Sequence, residues 1–296
     1  MKQLNLFNGL FLFFTITISA QKVTNVSNRQ EQSNIIVSYD LETKSPCKIS
    51  LFVSTNGGTT WQGPLKNVSG DIGANISSGS KSITWSVLEE FEELRGNDIK
   101  FQVRAASNEI ETVKIGEQEW TTKNLNVSKY RNGDIIPEVT DPDEWANLTT
   151  GAYCYYNNDP KNGEIYGKLY NWYAVNDRRG LAPEGYHVPS IKEWDELVNY
   201  LEGIYSAGGK MKEKEYTHWS SPNAEATNSS GFTGIPSGYR DSNGKFYDIG
   251  YLGYWWCSSV FGTKGAWSRK LEYTNGHAYR SNANRANGFS VRCIKD

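Results

Sequence analysis

The chain has 296 residues, with 31 Lys and Arg against 33 Asp and Glu, a formal net charge of −2, and 13% aromatic residues. That balance leaves no basic stripe for a nucleic-acid backbone and no basic helix for a membrane surface. The four cysteines, Cys47, Cys154, Cys257 and Cys293, match neither a zinc motif nor a CxxC redox pair. The histidines His187, His218 and His277 are scattered without a paired Asp, Glu or Cys pattern. They support no metal centre or catalytic triad, and no cofactor is expected.

Residues 1–21 read as a secretory signal. Lys2 supplies a short positive region, Leu10 to Ile18 an apolar one, and Ile18-Ser19-Ala20 the small residues before a cut at Gln21. The apolar run is too short to span a bilayer, and no other stretch approaches spanning length. No Cys follows the expected cut, so no lipid anchor is expected, and no sorting domain is visible after the closing strand. The expectation is an exported protein, secreted or held at the cell surface, in a setting that permits disulfides. The remaining length suits two domains.

Residues 22–107 alternate in short apolar runs at 35–39, 48–53, 81–85 and 99–104, separated by turn residues. Period-2 burial at this spacing predicts an all-β sandwich of two antiparallel sheets. Asn56-Gly57-Gly58 fits a tight turn, since both residue types accept positive φ cheaply. The pattern resembles fibronectin type III and immunoglobulin-like modules. Ser54 to Trp61 resembles the Asp-box of sialidases with Asn56 in place of Asp, which implies a stabilised hairpin and no sialidase activity. Residues 105–112 read as a linker or crossover.

From Val113 the composition changes, with eight of the ten Trp and seventeen of the eighteen Tyr. One helix is expected over about 166–178. A second starts at Ser190, which caps it, with Glu193 completing a capping box. Ile191, Trp194, Leu197, Val198 and Leu201 form its apolar stripe, and Gly203 ends it. Loops follow, then strands are expected at 254–259, 266–271 and 289–294, with a shorter one at 277–280. Helices on a small antiparallel sheet with a long irregular insert describe an α+β module. The acidic loops at 141–144 and 157–159 lack the spacing of a calcium loop, and Asp241-Ser242-Asn243-Gly244 reads as a β-turn.

Several distinctive segments follow one another along the chain. They are Ile115 to Trp120 with Asn124-Leu125, Gly151 to Asn158, Gly167 to Trp172, His187-Val188-Pro189-Ser190 with Glu193-Trp194, Gly238-Tyr239-Arg240, Tyr254-Trp255-Trp256, and Gly288 to Cys293. With them residues 108–296 resemble the Fibrobacter succinogenes major paralogous domain, which in turn resembles the C-type-lectin-like fold and its formylglycine-generating branch. The resemblance implies a C-type-lectin-like domain but carries no established activity. The thiol pair of the formylglycine-generating branch and the Glu-Pro-Asn and Trp-Asn-Asp signatures of calcium-dependent lectins are both missing.

Cys154 and Cys293 fall in segments that resemble the family's Cys-bearing ones, which implies a bridge between them; a Cys257–Cys293 bridge is the alternative. The fold class binds on its long-loop side. The expected ligand surface is therefore late in the module: Trp255, Trp267, Arg269, Tyr279, Asn282, Arg285 and Asn287. Aromatic faces there would cover a sugar ring, and Asn and Arg would donate to its hydroxyls. Trp255 and Trp256 are adjacent on a strand and point oppositely, so at least one belongs to the core. The leading expectation is a noncatalytic module contacting polysaccharide or a cell-surface protein. A purely structural surface protein and an enzyme related to the formylglycine-generating branch are the alternatives.

Overall fold

The computed structural model describes residues 21–296 apart from Asn97 and Asn108; the expected signal therefore lies outside the described residues but for Gln21. The chain divides into two compact units between Ile110 and Glu111. Strands dominate both, and no helix among the described residues is long and apolar enough to cross a membrane.

The first unit contains β1 (Lys22–Glu31), β2 (Asn34–Glu42), β3 (Cys47–Ser54), β4 (Val68–Gly70), β5 (Gly73–Ile76), β6 (Gly79–Ser86) and β7 (Lys100–Ser107). They form two antiparallel sheets, ordered β1-β2-β6-β4 and β5-β3-β7. Alternate residues of β2, β3 and β6 point inward, because successive strand side chains leave opposite faces. Val37, Tyr39, Ile49, Leu51, Ile83 and Trp85 thus meet in one core. The Ser54–Trp61 turn is held from within. Asn56 Oδ1 accepts from Ser54 Oγ and from the Thr60 amide, both at 2.9 Å, and Ser54 Oγ accepts from the Gly58 amide at 2.8 Å. Asn56 does by neutral hydrogen bonding what a carboxylate does in the motif it resembles.

The second unit opens with a hairpin of β8 (Thr112–Ile115) and β9 (Gln118–Thr121). The helix α1 (Pro142–Ala146), strand β10 (Tyr153–Cys154), helix α2 (Pro160–Tyr166), strand β11 (Leu169–Tyr170) and helix α3 (Trp172–Val175) follow. Next come β12 (Tyr186–His187), α4 (Ile191–Tyr200) and α5 (Ala207–Met211). The unit then finishes with β13 (Ser237–Arg240), β14 (Phe246–Ile249), β15 (Leu252–Phe261), β16 (Gly265–Glu272), β17 (Tyr279–Asn284) and β18 (Ile294–Lys295). Two sheets organise it: β12-β18-β9-β8 and β14-β13-β15-β16-β17.

Helix α4 forms as its sequence dictates. Ser190 Oγ accepts from the Glu193 amide and Glu193 Oε2 accepts from the Ser190 amide, a complete capping box. Trp194, Leu197 and Val198 are buried against Trp120, Phe232 and Trp255; three such side chains contribute roughly 5–9 kcal/mol gross. Trp255 and Trp256 do point oppositely, and both are fully buried. Trp255 faces the α4 side, while Trp256 packs on Phe289 with ring centroids 4.4 Å apart.

Two expected elements differ. The helix over 166–178 is instead α2, β11 and α3 in succession. Gly167 takes φ +74 with Leu125 O 2.8 Å from where a Cβ would stand, so the chain turns there, and Asn171 caps a fresh helix through the Ala174 amide. The closing strand at 289–294 is regular only at Ile294–Lys295. Residues 289–293 run as a cord whose backbone bonds to four segments in turn: Tyr170, Trp256, Leu125 and Thr121. The short strand expected at 277–280 is β17, beginning at Tyr279 and running to Asn284.

That cord delivers Arg292 into the centre of the unit. Its guanidinium is fully buried and has no ion-pair partner among the described residues. Nε donates to Asn124 Oδ1 at 2.7 Å, Nη1 to the carbonyls of Thr121 and Phe232 at 2.7 and 2.8 Å, and Nη2 to Thr233 O at 2.8 Å. Burial pulls its pKa down to about 9. Asn124 Oδ1 also accepts from Trp255 Nε1 at 2.8 Å, and Asn124 Nδ2 donates to Tyr166 O and Ser290 Oγ.

The expected Cys154–Cys293 bridge, and its Cys257–Cys293 alternative, are not formed: all four cysteines are free, buried thiols. Cys154 packs with Trp145 and Leu169, Cys293 with Phe289 and Val291, and Cys257 with Trp255. Each lies in an apolar cluster, and Cys154 also meets the Arg240 guanidinium. Burial pushes the thiols of Cys154, Cys257 and Cys293 up to about 12.

Two outcomes are expected. Asn124→Ala strands Arg292 Nε and Trp255 Nε1 in the core and costs about 3 kcal/mol, read as a lowered urea midpoint for the second unit. A thiol reagent without reductant finds no reactive group in the native chain and four after denaturation.

Candidate functional site

The five-stranded sheet carries one aromatic or cationic side chain per strand along a single line. Tyr247 on β14 pairs with Tyr239 on β13, and Gly238 lies beside Gly253, which sets Tyr239 next to Tyr254 on β15. Tyr254 pairs with Lys270 on β16, and Lys270 with Tyr279 on β17. Register thus brings five side chains from five strands onto one face. Adjacent strands lie 4.7–4.9 Å apart, so the row spans about 19 Å. Gly238 is needed for this: its φ is +60, and a Cβ there would stand 2.4 Å from Tyr247 O.

Ring contacts link the row. Tyr239 stacks on Tyr247 with centroids 5.5 Å apart and meets Tyr254 edge-on at 5.2 Å. Tyr254 lies flat on buried Phe289 at 4.6 Å, and Lys270 Nζ sits 4.4 Å from the centre of the Tyr279 ring. Tyr247 is 39% exposed, and Tyr239, Tyr254, Lys270 and Tyr279 are half-buried. Each member of the row is therefore packed on protein and partly exposed.

The β17 end of the row is polar and already ordered. Glu272 Oε2 accepts from Lys270 Nζ at 2.9 Å, and its Oε1 accepts from Tyr279 Oη at 3.2 Å, from Thr274 Oγ1 and from Asn275 Nδ2. His277 Nδ1 lies 3.0 Å from Tyr279 Oη. Desolvation opposes ionisation of Glu272, but the hydrogen bond and charge of Lys270 outweigh it, and the carboxyl stays below its ordinary range. Burial, helped by Tyr239, Asp248 and Glu272, raises Tyr254 to about 12. The surface thus offers neutral ring faces edged by carboxylates and an amide, an arrangement suited to a flat, uncharged, hydroxylated ligand.

The sequence-expected surface is divided. Trp255 and Arg269 are in the core and reach no ligand. Trp255 is held by Asn124, and the Arg269 guanidinium is spent on Asp195 Oδ1 at 2.5 Å. Trp267 is on the opposite face of the sheet from Tyr279, half-buried between Phe261 at 4.6 Å and the Arg280 guanidinium at 4.1 Å. Asn282 pairs with Trp267 and lines a shallow cleft of about 460 Å³ with Phe261 and Lys264. Arg285 lines a separate cleft, and Asn287 closes a turn through Asn284 O. Only Tyr279 belongs to the row. Tyr239, Tyr247, Tyr254 and Lys270 were missed as site residues because the signal needs the strand register, which spacing along the chain does not supply.

Other chemistry-bearing groups are structural. Asp141 and Asp159 cap α1 and α2, and Asp241 Oδ1 accepts from the Asn243 and Lys245 amides. Among the described residues no three His, Cys, Asp or Glu side chains gather to hold a metal. Lys212, fully buried, donates to the carbonyls of Ala224, Glu272 and Asn275, and burial lowers it to about 8. His187 bridges two carboxylates, Nδ1 to Asp296 Oδ1 at 2.7 Å and Nε2 to Glu193 Oε1 at 2.8 Å. Ser190 Oγ donates to Glu193 and not to His187, so no base stands over a nucleophile there.

The family model described as the Fibrobacter succinogenes major domain matches residues 113–295. No curated protein and no solved structure matches the chain.

The His187 contacts give a pH signature. Desolvation opposes its charge, but Asp296 and Glu193 prevail and raise it above 6.5; Glu193, opposed likewise by desolvation, is lowered below 4.5 by Ser190 and His187. The His187 contribution is fully present below 6.5 and fades as pH rises through its folded value. That of Glu193 is present above 4.5 and fades as pH falls. The cluster is therefore strongest between these values, and His187→Gln is expected to flatten the alkaline limb of a stability–pH profile from urea melts.

Proposed function

The chain belongs to the Fibrobacter succinogenes major domain family, and we propose that this member is an exported, noncatalytic binding protein whose second unit holds polysaccharide along the tyrosine row. The observation that carries this reading is the row itself: five side chains, one from each strand, in register and each at least partly exposed. Tyrosines present broad apolar faces at low entropic cost, and their backing by Phe289 and by one another fixes those faces in advance. The length of the row favours an oligomeric chain over a single sugar. In this reading the second unit has the C-type-lectin-like fold, with a row of rings where calcium lectins use a metal. The first unit is a fibronectin type III or immunoglobulin-like spacer, and the leading segment directs the protein to the cell surface or beyond.

Nothing favours an enzyme of the formylglycine-generating branch: the thiols are enclosed and their pKa values are high. A purely structural role gives no reason for ring faces to be held open.

An oligosaccharide panel presented to the full chain tests the reading. Neutral oligosaccharides are expected to bind without added calcium. Tyr247→Ala and Tyr279→Ala are each expected to weaken that binding about tenfold, a loss of about 1.4 kcal/mol, with circular dichroism unchanged. Binding that survives the double substitution, or no binding to any member of the panel, refutes the proposal.

A further inference from the structure

A second cleft, of about 440 Å³, opens where α3 meets the end of β17, and arginines dominate it: Arg178, Arg179 and Arg285. They are not equivalent. Arg179 is neutralised. Its Nε and Nη2 grip Asp177 at 2.9 and 2.8 Å, its Nη1 lies 3.3 Å from Asp134, and its guanidinium covers the Tyr130 ring. Asp177 is correspondingly pulled down to about 2, chiefly by Arg179.

Arg178 and Arg285 have no such counter-charge among the described residues. Arg285 donates Nε to Gly265 O at 3.1 Å and rests 4.7 Å over the Trp172 ring, and neither Nη is engaged by a protein acceptor. Trp172 is itself fixed, buried and donating Nε1 to Cys257 O at 2.9 Å, so it is a rigid floor for the guanidinium. Arg178 is exposed and lines the same cleft. Tyr173, half-buried, and the exposed Thr149 and Asn176 add one ring and two polar side chains to the lining.

Three guanidinium groups and one carboxylate, Asp177, line the concavity, and Asp177 is taken up by Arg179. The two guanidinium groups left over are an arrangement for an oxyanion, since the planar fork donates in pairs to carboxylate, sulfate or phosphate oxygens. The tyrosine row has the opposite character: Asp241, Asp248 and Glu272 stand around it. The two surfaces therefore differ in charge, the row holding carboxylates with the one cation Lys270 and the cleft two guanidinium groups without counter-charge.

We propose that the Arg178–Arg285 cleft binds an acidic sugar residue, its carboxylate or sulfate held between the two guanidinium groups and its ring against Tyr173. The proposal rests on the polysaccharide-binding reading for its sugar component; its oxyanion component stands on the cleft alone.

The test measures binding of the full chain to polygalacturonate, dextran sulfate, unmodified dextran and polyglutamate at low and high salt. Polygalacturonate or dextran sulfate is expected to bind, whichever is tighter identifying the oxyanion, and the binding is expected to weaken as salt rises. Arg178→Ala and Arg285→Gln are each expected to reduce it about tenfold. Arg178 is exposed and bears no packing, so its substitution tests the site without disturbing the fold. The Tyr247→Ala/Tyr279→Ala chain is expected to retain this binding, which separates failure of the row from failure of the cleft. Absence of binding to both acidic polysaccharides overturns the proposal, as does equal binding of polyglutamate or indifference to both arginine substitutions.

Discussion

The second unit depends on one buried, unpaired positive charge. Arg292 reaches the middle of the unit with no ion-pair partner among the described residues, and it makes four hydrogen bonds, one to an amide and three to backbone carbonyls. Those carbonyls belong to Thr121, Phe232 and Thr233, two segments remote in sequence, and the amide of Asn124 passes the constraint to Trp255. Strand pairing, the long insert and the central tryptophan are therefore fixed by the same few atoms. A hydrophobic residue of equal volume would fill the space but would leave those carbonyls without donors. Arg240 repeats the device at the unit's edge, donating to the carbonyls of Gly244, Val139 and Thr140 beneath the Trp145 ring. In a protein with many loops and short strands, buried cations take over part of what regular ladders do elsewhere.

How much was legible in the sequence depended on how local the signal was. Helix α4 was readable almost to the residue, since Ser190, Glu193 and the apolar stripe lie within a few turns and each acts on its neighbours. The apolar runs of the first unit were readable for the same reason, as alternation is a nearest-neighbour property of a strand. The region after Gly167 was not. Tyr166 to Val175 reads as helical by composition, but Gly167 takes a left-handed turn set by contact with Leu125 and Asn124, which no local propensity reports. The closing segment misled in another way. Its apolar–polar pattern is that of a strand, while its partners change every residue or two because it threads between sheets.

The candidate site shows the same division more sharply. Aromatic density after Val113 announced that rings would matter, yet it did not separate structural rings from exposed ones. Trp255, the most conspicuous residue of the expected surface, is completely enclosed. Tyr239 stood out only within the Gly238-Tyr239-Arg240 segment, and neither it nor Tyr247 was read as a site residue, because their alignment with Tyr254 and Tyr279 depends on a parallel step between β13 and β15 that crosses the strand order. Phenol groups mark the surface better than indoles here. A ring with a polar tip is stable at a half-exposed position, whereas the larger, mostly apolar indole gains more from burial.

The cord at 289–293 has a consequence for how the protein comes into being. It donates the central guanidinium, backs Tyr254 with Phe289 and leads into β18, an interior strand of its sheet. A chain emerging from its N-terminus therefore presents most of its indoles before the piece that seals them exists. Until then the nascent unit holds unsheltered apolar surface of the kind that draws chaperones or self-association. Its final shape is reached in one late step, when a few residues slide home like a bolt.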